Sequence, residues 1–143
     1  MTSFFHYFLF CCKATTHHGV HSPFIFQLIT NCFFNSEWLK IRRLPITADG
    51  FHKMDLLFKK LLKDYFAKNE KNRFTLTFKN ELKIPTAAQP DENSIWVFSG
   101  IHTQRKKWLA FSYKENVRLD FFYWGILLFK TDQAKETFLL RIF

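Results

Sequence analysis

With 143 residues the chain has room for one domain with a single core and is short for two. Hydrophobic residues make up 48% and charged residues 23%, a globular balance, and 20 Phe, 4 Trp and 4 Tyr drive collapse while leaving apolar surface for a partner or for self-association. The formal net charge of +9 suits an anionic partner, yet the cations are dispersed as Lys40/Arg42/Arg43, Lys59/Lys60/Lys63, Lys68/Lys71/Arg73 and Arg105/Lys106/Lys107, a pattern of solvated helix faces and loops that argues against a nucleic-acid footprint.

Residues Ser3 to Lys13 read as a short apolar helix. Its run FFHYFLFCC has no positive charge before it, contains His6 and lacks small residues ahead of a cleavage point. At 9 residues the run is too short to span a bilayer. No signal peptide is expected, and the chain reads as cytoplasmic without a membrane span. Cys11, Cys12 and Cys32 form an odd, sparse set with no CxxC pair, which fits a reducing compartment.

The connector ATTHHGVHSP follows. His17, His18 and His21 are close enough in sequence to approach one ion, but no carboxylate or thiolate lies beside them at helical spacing. They read as a polar connector, and no metal is expected. Ser22 is a good N-cap with Pro23 at the first helical position, which predicts a helix over Pro23–Phe34 with Phe24, Leu28, Ile29 and Cys32 at helical spacing. NSEWLKIRRL reads as a further helix ended by Pro45. Asp49 and Gly50 read as a turn and cap before an amphipathic helix, FHKMDLLFKKLLKDYFAKN. Met54, Leu57, Phe58, Leu61, Leu62 and Tyr65 form its apolar stripe. His52 and His102 stand alone and read as hydrogen-bonded structural residues.

In RFTLTF the alternation of Phe74, Leu76 and Phe78 with Thr75 and Thr77 predicts a half-buried strand. A polar linker AAQPDEN around Pro90 leads to SIWVFSG, whose apolar run predicts a strand buried on both faces. A helix is predicted from Thr103. VRLDFFYWGILLFK, interrupted by Gly125, reads as two strands joined tightly or a bent hairpin, and AKETFLLRIF as a last strand. The order of elements predicts an α/β sheet domain.

Three segments together resemble class I S-adenosylmethionine-dependent methyltransferase-like proteins common in Bacteroidetes. HGVHSPFIFQLITNCFF resembles their leader. NSIWVFSGIHTQRKKW, followed by VRLDFFYWGILLFKTDQAKETFLLRIF, resembles their last strands. LLFKKLLKDYF and the strand after it resemble the approach to their cofactor loop. The resemblance implies an incomplete Rossmann-like sheet with a C-terminal β-hairpin. It divides the chain into a helical leader over residues 1–45 and a truncated α/β domain over residues 46–143, together one compact unit.

In that family the first strand ends in an acid and runs into a loop with two glycines. Laying TLTFKNELKIPTAA on the pattern without a gap puts Thr77 at the acidic position, Lys79 and Lys83 at the glycine positions, and Asn80 between them. Side chains at those positions take up the room that bare backbone leaves for the ligand. Each lysine near the net-positive cofactor would cost about 1–4 kcal/mol, depending on screening. Only QPDEN separates this loop from SIWVFSG, where the family has several more strands, and Ser99 and Gly100 stand where it favours acids at a strand end. What the resemblance implies is a methyltransferase-like protein without catalytic residues or bound S-adenosylmethionine. Two alternatives stay open: a residual methyltransferase completed by oligomerisation, and a basic protein that binds nucleic acid or another anionic surface. A homo-oligomer or protein partner would use the exposed aromatic surface.

Overall fold

A computed structural model describes residues 2–14, 22–33, 38, 48–68, 74–79, 82, 93–111, 115, 117–129 and 135–140. In chain order these form α1 (Thr2–Lys13), α2 (Pro23–Phe33), α3 (Ala48–Lys68), β1 (Thr75–Lys79), β2 (Ser94–Ser99), a 3-10 turn (Ile101–Gln104), α4 (Arg105–Ala110), β3 (Val117–Asp120), β4 (Trp124–Phe129) and β5 (Glu136–Leu139).

Two compact units result, one of residues 1–15 with 74–141, the other of residues 16–73 with 142–143. Helix α1 belongs with the sheet because Tyr7 and Phe10 set their rings against Phe122, at centroid distances of 5.1 and 5.4 Å. Helix α3 belongs with α2, because Phe33 stacks on Phe58 at 4.8 Å and Trp38 meets both rings edge-on.

In the helical unit, Ser22 acts as the expected cap: its Oγ accepts the Ile25 N–H at 3.5 Å. Ile25, Leu28, Ile29 and Cys32 of α2 are buried, as are Met54, Phe58, Leu61 and Leu62 of α3. Leu57 and Tyr65, expected in the same stripe, are half-buried. Asp49 and Gly50 lie inside α3 rather than before it, since the helix begins at Ala48. Of NSEWLKIRRL only Trp38 is described; it is helical and fully buried.

The other unit is built on a five-stranded mixed sheet in the order β1-β2-β4-β3-β5. β1 runs parallel to β2, and residues 80–93 join them, a span long enough to return the chain. β2 and β3 each pair antiparallel with β4, and β5 closes the far edge parallel to β3. Central β2 and β4 are buried on both faces: Ile95 and Val97 on one side, Trp96 and Phe98 on the other. The second of these faces forms a cluster of Trp96, Phe98, Leu127 and Phe129, which Ile101, Trp108 and Phe111 cover.

The predicted hairpin is present as β3 and β4, but the chain does not break at Gly125. It turns at Phe121–Tyr123, with Phe122 in the left-handed region at φ 71°. The bulky Phe is held there because its N–H donates to Asp120 Oδ1 at 2.9 Å. Gly125 lies within β4, where a Cβ would collide with Trp108.

Candidate functional site

Because β1 and β2 are parallel with Lys79 opposite Phe98, their carboxyl ends share one rim of the sheet. In open α/β sheets ligands lie in the crevice beyond such ends. Of the residues singled out from the sequence, Thr77, Lys79, Ser99 and Gly100 are described, and they fall on this rim in two places.

At the end of β1, Thr77 is half-buried opposite Trp96. Lys79 is half-buried too, and its ammonium nitrogen lies 4.3 Å from the centre of the Trp96 ring. A cation over indole is attracted by the ring's negative face, and burying the aliphatic stem adds to that. Leu82 packs against the cluster that contains Trp96 and Phe98. Asn80 and Lys83 lie outside the described residues.

At the end of β2, Ser99 pairs with Trp124, and Gly100 takes the left-handed conformation at φ 73°. No heavy atom lies within 4 Å of a Cβ built on Gly100, so its backbone angle, and not crowding, calls for glycine. The Gly100 and Ile101 N–H groups donate to the Tyr123 carbonyl at 2.8 and 3.2 Å, which ties the start of the helical turn to the hairpin. Thr103 Oγ1 donates to the Gly100 carbonyl at 2.8 Å.

This turn delivers Arg105 to Asp120. The guanidinium donates to the carboxylate at 2.7 Å, with both side chains buried. The rings of Phe10 and Phe122 lie 5.4 and 5.3 Å from the guanidinium carbon. Asp120 accepts from both Arg105 and the Phe122 N–H, so one carboxylate fixes helix and hairpin together. Arg118 holds the other end of α4. It donates to the Trp108 carbonyl at 3.1 Å, to the Phe111 carbonyl, and to Glu115 at 2.8 Å.

Beside this turn lies a cleft of about 560 Å³ lined by His6, His102, Thr103, Gln104, Arg105, Lys106 and Lys107. Lys106 and Lys107 are exposed, and no carboxylate is among the described residues that line the cleft. His102 meets Tyr123 edge-on at a centroid distance of 4.7 Å, and burial lowers its pKa below the ordinary 6.5. Burial, and then the neighbouring Cys11 thiol, raise Tyr123 in turn. The imidazole is therefore neutral near pH 7, and the positive field of the cleft comes from Lys106 and Lys107, Arg105 being engaged by Asp120.

Among the described residues no group of three or more His, Cys, Asp or Glu side chains is placed to hold a metal ion. His17, His18 and His21 lie outside the described residues, Asp49 and His52 are exposed on α3, and Cys32 is buried against α3.

Sequence reasoning grouped Arg105 with Lys106 and Lys107 as a solvated triplet. That holds for the two lysines and fails for Arg105, which is buried. The available signal was Asp120, a lone acid inside the apolar run VRLDFFYWGILLF, where an unpaired carboxylate would be costly and calls for a cation.

Compared with protein-family models, curated proteins and solved structures, the chain matches none.

Proposed function

We propose that the chain is a shortened, degenerate methyltransferase-like domain that has lost S-adenosylmethionine binding and no longer methylates. The position of Lys79 carries this reading. At the strand end where the resembling family cradles its cofactor with bare backbone, the ammonium of Lys79 folds over Trp96. An arriving sulfonium would meet a like charge, and the space beside the strand is taken by the lysine stem. Direct pairing of β1 with β2 is in keeping with the loss of interior strands. Titration calorimetry with S-adenosylmethionine up to about 1 mM should give no binding heat; an affinity near 1 μM would overturn the reading.

The cleft favours a second reading, an anionic partner. Lys106 and Lys107 line the cleft, Arg105 being paired with Asp120, and no carboxylate is among the described lining residues. Salt-sensitive retention on an anionic matrix tests it, and passage of the chain straight through at low salt would end it.

A further inference from the structure

Helix α1 has two unlike faces. Tyr7 and Phe10 turn onto Phe122. Phe5, Phe8 and Leu9 are 59%, 57% and 39% exposed, and Cys12 is exposed with them. Positions 5, 8, 9 and 12 recur at helical spacing, so these side chains make one continuous apolar stripe. Apolar residues exposed singly are ordinary; a contiguous stripe of them marks a surface that something covers.

Positive charge accompanies that stripe. Lys13 closes α1. His6, next to Phe5, lines the cleft with Lys106 and Lys107, and α4 also presents Leu109, 62% exposed. Neither α1 nor α4 contains an acidic residue.

We infer that this face seats on an anionic phospholipid bilayer. Helix α1 lies along the interface with Phe5, Phe8 and Leu9 among the upper acyl chains, while Lys13, Lys106 and Lys107 meet lipid phosphates. Two other occupants satisfy half of the surface each. A nucleic acid would neutralise the lysines and leave the Phe and Leu side chains in water. A second copy would cover the stripe but bring another +9 chain against the same cations. Among the described residues no helix is long and apolar enough to cross a membrane, and the stripe calls only for the membrane surface. The inference rests on the anionic-partner reading and is independent of cofactor loss.

The test is flotation of the full chain with vesicles of phosphatidylcholine alone or with about one-third phosphatidylglycerol, at low and high salt. The chain should float with the anionic vesicles, stay behind with the neutral ones, and be released by salt. Phe5→Ser with Phe8→Ser, and separately Lys106→Glu with Lys107→Glu, should each lower the bound fraction about tenfold. Leu56→Ser, an exposed apolar residue of α3, should leave it unchanged. All these positions are exposed, and a melting curve for each variant checks that it folds. Absence of flotation on anionic vesicles overturns the inference, as does a Phe5/Phe8 variant that floats like the parent. A dimer that the Phe5/Phe8 variant dissolves, without flotation, assigns the stripe to a second copy and also overturns it. Salt-sensitive RNA retention without flotation overturns the bilayer while leaving the anionic-partner reading standing.

Discussion

Trp108 stands so close to Gly125 that a Cβ on the glycine would fall 2.6 Å from the indole Cζ2 and 2.8 Å from Cζ3. The contact is how α4 closes onto the middle of the sheet. Trp108 is fully buried, and the Arg118 guanidinium lies 4.8 Å from its ring centre. Neither partner has room to give. Gly125→Ala should therefore destabilise the chain by about 1–3 kcal/mol, read from the shift of a urea unfolding midpoint. Combined with Trp108→Phe, the loss should be smaller than the sum of the two single losses, because both act on one contact. Additive losses would refute the collision.

Asp120→Asn should be more damaging than any surface change. It leaves the Arg105 charge buried without its counter-charge, and it weakens the acceptor that holds Phe122 in its left-handed conformation. A loss of about 3–5 kcal/mol is expected. Pairing it with Arg105→Met removes the stranded charge and should restore part of the stability, measured in the same urea titration.

Two buried groups set opposite ends of the pH range. Burial pushes the Cys32 thiol from the ordinary 9.0 up to about 12. The unfolded chain loses this proton first, so stability falls as pH rises from about 9 toward 12. Burial lowers His102 below 6.5, so the unfolded chain gains that proton first, and stability falls as pH drops below 6.5. These two groups should accordingly leave the melting temperature unchanged between those limits and lower it outside them. Cys32→Ala should remove the alkaline dependence due to the thiol. An aromatic disulfide reagent near pH 8 should label Cys12 in the folded chain and reach Cys32 only after unfolding.

Lys79→Ala separates position from charge. Losing the cation over Trp96 should cost about 0.5–1 kcal/mol and alter tryptophan emission. Lys79→Met keeps the stem and should recover the packing part of that loss. Equal effects of the two substitutions would show that the charge alone matters.

The helices were legible because their signals are local. Ser22 and Pro23 mark the start of α2 within the chain itself, and the spacing of Met54, Phe58, Leu61 and Leu62 orients α3 without reference to any partner. The burial of β2 could be read from SIWVFS alone. What escaped depends on partners remote in sequence. Gly125 reads as a break until Trp108 is placed against it. The actual turn sits on Phe122, a residue type that almost never signals left-handed backbone, and the Asp120 carboxylate that accepts its N–H helps to hold it. The strand order, with β4 between β2 and β3, follows from the hairpin once formed, but nothing in the strands' composition names their neighbours. At the rim, Lys79 was singled out from its position along the chain, while its resting place over Trp96 needed the parallel register of β1 and β2.

Helix α1 settles on Phe122 only after the intervening residues have been made, the helical unit among them. On the ribosome, then, α1 emerges as an orphan: a phenylalanine-rich peptide that waits for its docking ring while the helical unit is made. Such a nascent chain invites holding chaperones and misassociation during synthesis, until the Phe122 ring arrives to cover α1.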